Sequence, residues 1–284
     1  MCSKRVILHS IFAYKSENVK NIVIHAVDTD VVVLCIYYAA TQLQGLTGLW
    51  VRSEKDVFLP IHLMASALGV DKCRALPFIH SLSGRDTTSY PFFTGKKAWF
   101  DASNDVNLSE LESFGENPVN VLSEKLKDQA RALTIAVYSS KADYKDDFDL
   151  GSLRVYKFLN NRSTLLRLLP PTEDAFDQHL KRAALATLID KNAHIAKPKL
   201  LQFSEYGWTI NNGKAVPCPS TQQAWPRETQ KALSCTCMKG CMKNCPCARR
   251  KRPCYKGCRC QGHEKRCKRM IAYIRDSEDS DDSD

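Results

Sequence analysis

Nine cysteines lie in a short stretch near the end of the chain, and thiols at this density can do two kinds of chemistry. They are Cys235, Cys237, Cys241, Cys245, Cys247, Cys254, Cys258, Cys260 and Cys267. Their spacing, C-x-C-x3-C-x3-C-x-C-x6-C-x3-C-x-C-x6-C, repeats a C-x-C pair. Such thiols either pair as disulfides or bind metal ions as thiolates. The other four cysteines are scattered over the preceding residues, so the chain has a cysteine-dense module at one end.

Metal binding explains this cluster better than a disulfide framework does, although disulfides stay open. An odd number of cysteines cannot pair completely, and the two members of a C-x-C pair are badly placed to pair with each other. Residues 1–20 are polar and mixed, so we expect no secretory signal and no oxidising compartment. Clustered cysteines outside such a compartment are typical of metal sites.

Zinc fits the number of thiolates. Structural zinc takes four thiolate or imidazole ligands, so three zinc ions need about twelve ligand bonds. Nine thiolates supply these bonds when three of the nine bridge two ions each. The stretch has almost no apolar residues to bury, so metal binding must supply the free energy that folds it. The sequence therefore predicts about three zinc ions held by the nine cysteines.

The same spacings resemble the tesmin-type CXC domain, a cysteine-rich DNA-binding module that also occurs in chromatin proteins. The shared features are the C-x-C pairs, the x6 gap and the later C-x3-C-x-C. The family commonly places its last ligand at the position of His263 in this chain, whereas Cys267 lies four residues further. We favour Cys267 as the ninth ligand and keep His263, otherwise a loop histidine, as the alternative. Relatives that contact DNA often have a tyrosine where this chain has Asn244, so their sequence preference does not transfer.

Cations are interleaved with the cysteines and predict contact with phosphate. The candidate nucleic-acid-binding residues of the module are Lys239, Lys243, Arg249, Arg250, Lys251, Arg252, Tyr255, Lys256 and Arg259. On a compact zinc core, the run 249–252 would form a basic projection beside Tyr255 that suits the DNA backbone. Other uses stay open: an RNA or another acidic partner, a solvated loop or nuclear import signal, and cations that only offset thiolate charge.

Composition limits the class of protein. The 284 residues suffice for one large or two small domains. The net charge of +10 is uneven, because the cysteine module is basic while the last residues, DSEDSDDSD, are acidic and predict a disordered tail. No run is long and apolar enough to span a membrane. Reduced cysteines and basic patches lead us to expect a nuclear protein without membrane association.

A carboxylate pair follows the first predicted strand. Residues 6–14 predict a helix and 21–27 a buried strand, which ends at Asp28-Thr29-Asp30 before a helix over 31–38. Carboxylates at the carboxyl end of a strand are common in divalent-metal sites of open α/β sheets. The same residues suit a helix N-cap, which is the more frequent meaning of such a motif.

The order of motifs up to Trp99 is similar to a PIN-like family, distantly related to flap endonucleases and found in transposon-associated proteins. The motifs are the strand with DTD, a helix ending in L-S-G-R-D-T-T-S at 82–89, and F-F-T-G-K-K-A-W at 92–99. The resemblance covers most of residues 5–234 and implies an α/β domain with a mostly parallel sheet. It implies that Asp28, Asp30 and Asp86 are catalytic ligands of Mg²⁺ or Mn²⁺, and that Lys96 and Lys97 contact a duplex backbone.

Two departures from that family lead us to expect an inactive nuclease scaffold. The acidic stretch that usually precedes the first helix is Met1-Cys2-Ser3-Lys4 here, and the usual Gly-Cys-Asp is Gly84-Arg85-Asp86. The first removes one side of the carboxylate cluster, and the second places a cation beside it. Either an N-terminal part is missing or the nuclease is decayed, and an active nuclease stays as the alternative.

The remaining sequence predicts helices and then an irregular segment. Residues 120–138 and 151–169 have helical apolar spacing, and Thr172 starts a helix to 191 in which His179 is structural. The predicted division is a partial PIN-like domain over 1–100, a helical extension over 101–197, an irregular linker over 198–233, the CXC module over 234–270 and the acidic tail over 271–284.

Taken together, the sequence predicts a zinc-dependent DNA-binding protein of transposon origin that carries an inactive nuclease-like domain. Two alternatives come from other classes: a divalent-metal-dependent, structure-selective nuclease, and a chromatin-associated protein whose zinc module only docks protein partners. Steep salt dependence of DNA binding separates the first from the last, and metal-dependent cleavage identifies the nuclease.

Overall fold

The chain forms two compact units that are not continuous in sequence. The computed structural model describes residues 2–91, 94–116, 122–139, 149–160, 166–199, 201–222, 234–237, 241–249, 254, 258–263, 267 and 269. Unit 1 contains the described residues of 2–139 and 175–220, and unit 2 contains those of 149–174 and 221–269. The predicted acidic tail lies outside the described residues.

Unit 1 is a mixed α/β unit, as the sequence predicts. The helices, in chain order with α8 of unit 2 included, are α1 (Cys2–Ser16), α2 (Thr29–Thr41), α3 (Ile61–Leu68), α4 (Val70–Leu82), α5 (Lys96–Ala102), α6 (Ser109–Ser113), α7 (Glu124–Tyr138), α8 (Leu150–Asn160) and α9 (Glu173–Lys191). The strands are β1 (Asn21–His25), β2 (Gly48–Arg52), β3 (Phe58–Pro60), β4 (Trp208–Asn211) and β5 (Lys214–Pro217).

The sheet that positions the carboxylate pair is mixed rather than mostly parallel. Strand β1 pairs with β2 in parallel through the α2 crossover, with Val23 opposite Trp50. Strand β3 then pairs antiparallel with β2, since Ser53 N donates to Val57 O at 3.0 Å and closes a short hairpin. A chain that reverses within so few residues can only return antiparallel, which corrects the prediction of a mostly parallel sheet.

Helix α2 lies at the centre of the core of unit 1. Its buried Leu34 and Tyr38 pack in one cluster with Ile24 of β1, Leu49 of β2 and Ile61 of α3. The helix begins directly after Asp28, whose carboxylate accepts the Asp30 N–H at 2.9 Å. The DTD motif therefore acts as a helix N-cap, which is the second of the two meanings that the sequence allowed.

Helices α7 and α9, which were predicted in a separate extension, belong to the same unit as the sheet. The Tyr38 hydroxyl of α2 donates to the carbonyl oxygens of Asp190 and Lys191 at 3.0 and 2.8 Å, which ties the end of α9 to the core. Helix α7 begins at its N-cap Ser123, whose hydroxyl accepts the Leu126 N–H at 3.1 Å, and packs against α5 and α6. The first residues predicted for α7, up to 121, lie outside the described residues.

One part of the predicted irregular linker is ordered. Strands β4 and β5 form a hairpin closed by Asn212 and Gly213, both with positive φ (49° and 73°). An Asn-Gly pair between strands is a strong hairpin signal because both residues accept this backbone conformation. The prolines around this segment led to the prediction of an irregular structure. That prediction was wrong at 208–217.

Unit 2 combines α8, a 3-10 turn at Leu166–Leu168 and the cysteine stretch. Asp149 lies directly before α8, and its carboxylate accepts the Ser152 N–H at 2.6 Å. The predicted helix over 151–169 thus ends at Asn160, and residues 161–165 lie outside the described part. Among the helices that the structure describes in either unit, none has the length and apolar character needed to cross a bilayer.

Candidate metal centre

All nine predicted ligands lie in one cluster of unit 2. The side chains of Cys235, Cys241, Cys245, Cys247, Cys254, Cys258, Cys260 and Cys267 are buried, and Cys237 is half-buried against them. Every one of these cysteines is a free thiol. A cysteine-rich stretch with little else to bury has thus collapsed around its own sulfur atoms, as a CXC-like module would.

The spacing of the sulfur atoms matches a metal–thiolate cluster. The Sγ–Sγ distance is 3.7 Å for Cys235–Cys241 and for Cys247–Cys258, and 3.9 Å for Cys235–Cys254. Two sulfurs on one tetrahedral zinc with Zn–S bonds of about 2.3 Å are about 3.8 Å apart. A disulfide would need about 2.05 Å. The described thiols therefore fit zinc and could hold metal.

Three groups of four sulfurs are close enough to surround an ion. They are Cys235-Cys237-Cys241-Cys245, Cys235-Cys241-Cys254-Cys260 and Cys235-Cys245-Cys247-Cys254, each with its ligand atoms within 4.8 Å of one another. Because the groups share members, a metal cluster here needs bridging thiolates, as the count of ligands predicts. Cys235 belongs to all three groups and is the centre of the arrangement.

Backbone hydrogen bonds hold the two halves of the cysteine stretch together. Arg259 N donates to Cys235 O at 2.9 Å, and Cys235 N donates to the Sγ of Cys258 at 3.4 Å. Around the second C-x-C, the N–H groups of Ala248 and Cys247 face the Cys245 sulfur. Burial alone would raise the pKa of Cys245, but these amides and the neighbouring thiols lower it to about 6. Thiolate is therefore the favoured form of this side chain at neutral pH.

Two neighbouring thiols, Cys235 and Cys241, are harder to ionise than a free thiol. Burial raises the pKa of Cys235 and of Cys241, because the charged form loses its hydration. Several thiolates this close together also repel one another. A bound metal ion deprotonates coordinating thiols outright, so the site is suited to an ion that compensates several negative charges at once.

Cys267 and His263 have different surroundings. The Cys267 side chain is fully buried in the sulfur cluster, and its N–H donates to His263 O at 2.8 Å. The His263 residue is exposed. The longer closing loop thus brings the later thiol into the cluster.

A groove beside the cluster carries one of the predicted cations, Lys243. It is lined by Cys241, Met242, Lys243, Asn244, Ala248 and Arg269. Lys243, Arg249 and Arg259 are exposed, and an Arg269 N–H group points at the Cys254 sulfur at 4.0 Å. The other predicted contact residues of the module, Lys239, Arg250, Lys251, Arg252, Tyr255 and Lys256, lie outside the described residues.

The three predicted catalytic aspartates of unit 1 surround a lysine. Asp28 and Asp86 are exposed, and Asp30 is half-buried. Lys96 Nζ donates to Gly84 O at 3.0 Å. Burial lowers the Lys96 pKa, whereas Asp30, Asp28 and Asp86 all act to raise it, which places the three carboxylates within electrostatic range of this ammonium.

Asp30 is engaged by two further groups: Arg85, which the sequence analysis placed beside the carboxylate cluster, and His80, which it did not connect with these residues. His80 Nε2 donates to Asp30 Oδ1 at 2.6 Å, and Arg85 forms an ion pair with Oδ2. Burial opposes ionisation of Asp30, but the His80 hydrogen bond and the Arg85 charge outweigh it and lower the pKa to about 2. Throughout the described residues, the groups of three or more ligand atoms close enough to share an ion consist of cysteines.

The other predicted contact in unit 1, Lys97, is exposed on α5 and pairs with Asp101 at 2.5 Å.

Comparison of the chain with family models, with curated proteins and with solved structures gives no match.

Proposed function

We propose that this chain is a zinc-dependent DNA-binding protein in which unit 2 holds the metal and contacts the nucleic acid. The observation that carries the proposal is the cluster of nine thiols at metal-thiolate spacing beside exposed cations. The nine cysteines, with Cys267 as the ninth, would hold about three zinc ions. The resemblance to CXC modules and to PIN-like proteins of mobile elements supports a nuclear location and a transposon origin.

Three zinc ions would offset about six of the nine thiolate charges and would cross-link the stretch, and the interleaved cations would offset the rest. The chain's own residues then do the recognition. Lys243, Arg249 and Arg259 present their charges on a rigid support, where each can displace counterions from a phosphodiester backbone. Asn244 and Met242, at the edge of the same groove, can contact sugar or base edges. The positive charge of these exposed side chains favours DNA as the partner over a neutral protein surface.

Charge removal on this surface should change the salt dependence of binding. We expect Lys243→Gln and Arg259→Gln each to weaken binding to all DNA sequences alike and to reduce the slope of log K against log salt by about 0.9. Fluorescence anisotropy of labelled duplexes over a salt series measures this. Lys214→Gln, an exposed lysine on the hairpin of unit 1, is the matched control and should leave the slope unchanged. A slope near zero for the parent would instead support the protein-docking alternative.

Unit 1 is proposed as a nuclease-like scaffold without activity. The carboxylate that a metal ion would need most, Asp30, already pairs with Arg85 and His80. We expect no cleavage of branched DNA in Mg²⁺ or Mn²⁺ by the parent chain, measured on denaturing gels beside an Asp28→Ala/Asp30→Ala/Asp86→Ala variant. Cleavage by the parent and not by the variant would establish the nuclease alternative. Cleavage by both would indicate a contaminant.

A further inference from the structure

The metal centre of unit 2 has an apolar side that comes from another part of the chain. Val155 and Phe158 of α8, and Leu169 after the 3-10 turn, pack in one cluster with the cysteines. Phe158 and Leu169 are only 2% and 4% exposed. We refer to these three residues as the apolar cover. They pack on the sulfur cluster, although 74 residues separate the end of α8 at Asn160 from Cys235.

The cysteine stretch cannot supply such a cover from its own described residues. Apart from the cysteines, the largest apolar side chain among those residues is Met242, which is 61% exposed. Helix α8 has eleven residues, and a helix of this length is marginal in water without packing. Among the described residues, the cluster therefore gains its apolar surface from α8 and Leu169, and the face of α8 that carries Val155 and Phe158 gains a surface to pack on.

The segment that bears the cover is capped at its start and tied at its end. Asp149 lies directly before α8 and accepts the Ser152 N–H at 2.6 Å, which caps the first turn. At the other end, Asp174 accepts the N–H groups of Thr221 and Gln222 at 2.6 and 3.1 Å. The Asp174 contacts join the segment 149–174 to residues 221 and 222, all within unit 2.

We infer that zinc binding folds α8 and that the apolar cover in turn slows the loss of zinc. This inference rests on the proposed function, because it takes the cysteine cluster to be zinc-loaded. The physical reason is mutual: without the ions the crowded thiols lose their fixed positions, and the Val155–Phe158 face of α8 loses the surface on which it packs. Without the cover, water and chelators reach the metal–thiolate bonds, since a hydrophobic shell controls solvent access to a site.

Hydrogen exchange of the full chain tests the first half of the inference. Zinc content is measured first by elemental analysis, and backbone exchange is then followed by mass spectrometry with and without a chelator. We expect peptides from 150–160 to exchange slowly in the zinc-loaded chain and to reach unprotected rates after chelation, while peptides from α7 in unit 1 keep their protection. Zinc bound with no change at 150–160 would overturn the inference alone. A chain that binds no zinc would overturn the proposed function as well.

Release of zinc to a chromophoric chelator tests the second half. We expect Phe158→Ala to release zinc about 10-fold faster than the parent, the scale typical of residues that surround metal ligands without binding the ion. Leu153→Ala is the control, since Leu153 is a fully buried residue of the same helix that lies outside the sulfur cluster. It should have a much smaller effect. Equal acceleration by both variants would show that release follows helix stability in general and would refute the role of the cover.

Discussion

Replacement of Cys235 by serine is expected to disrupt the whole metal centre rather than one corner of it. Cys235 belongs to each of the three groups of four sulfurs. Its carbonyl oxygen accepts Arg259 N and its own N–H meets the Cys258 sulfur, so it also joins the two halves of the stretch. A serine hydroxyl cannot supply the thiolate that zinc prefers here. Because metal binding is the folding free energy of such a segment, the ordered structure should be lost with the metal.

The expected loss of zinc affinity exceeds the roughly 10–100-fold that substitutions around a metal site cost, and DNA binding should fall with it. Elemental analysis and anisotropy of a labelled duplex measure the two effects on one preparation. Cys237→Ser should lose less, since Cys237 is half-buried and belongs to one of the three groups. Cys218→Ser, a free thiol of unit 1, should change neither quantity. Full zinc content in Cys235→Ser would refute the central position of this thiol.

The chemistry of the cysteine stretch was predictable because its information is local. Ligand type, number and spacing lie within one short segment, and a metal ion needs little else to organise it. The N-cap at Asp28 was equally accessible, since a cap is read from residues next to each other. Some helix positions follow for the same reason, as the match of Glu173–Lys191 with the helix predicted from Thr172 to 191 shows.

The partners of buried faces could not be predicted in this way. The apolar stripe of α8 indicates that one face is buried, but no local signal tells that Phe158 packs on cysteines rather than on another helix. Likewise, Arg85 was noticed as a cation beside Asp86, whereas its contact with Asp190 spans more than a hundred residues. Such pairings depend on the packed core, and the sequence of either segment alone does not indicate them.

Arg85 is the position in unit 1 where a single substitution should cost most stability. Its side chain is 6% exposed and bridges two carboxylates, pairing through Nη1 with Asp190 at 2.5 Å and through Nη2 with Asp30. Arg85→Met keeps most of the volume but leaves Asp190, which is 2% exposed, without this charge. Breaking a buried ion pair from one side costs about 3–5 kcal/mol. Urea unfolding followed by tryptophan fluorescence, to which the buried Trp99 contributes, measures the loss.

The pH dependence of the free energy of unfolding tests the same ion pair, because the direction of the change with pH follows from the pKa of Asp30. In the folded chain the pKa of Asp30 is lowered to about 2 from 3.8. A carboxyl group with a lowered pKa stabilises the fold fully above its unfolded pKa, and this contribution disappears as the pH falls through the folded value. The parent should therefore lose stability from Asp30 between about pH 4 and pH 2. Arg85→Met should show a weaker acid dependence in that window, because it has already lost much of the contribution at neutral pH.

Three further variants distinguish the ion-pair bridge from a general effect of changing a buried residue. Arg85→Lys keeps the charge but has one ammonium in place of a planar fork, so it should fall between the parent and Arg85→Met. Adding Asp190→Asn to Arg85→Met should recover part of the lost stability, because it removes a buried anion that has lost its main cation. Lys97→Met, which breaks an exposed pair with Asp101, should stay within about 0.5 kcal/mol of the parent. If Asp190→Asn instead adds its own full cost to that of Arg85→Met, the two residues do not act as a pair, and the stability of unit 1 rests on its apolar core alone.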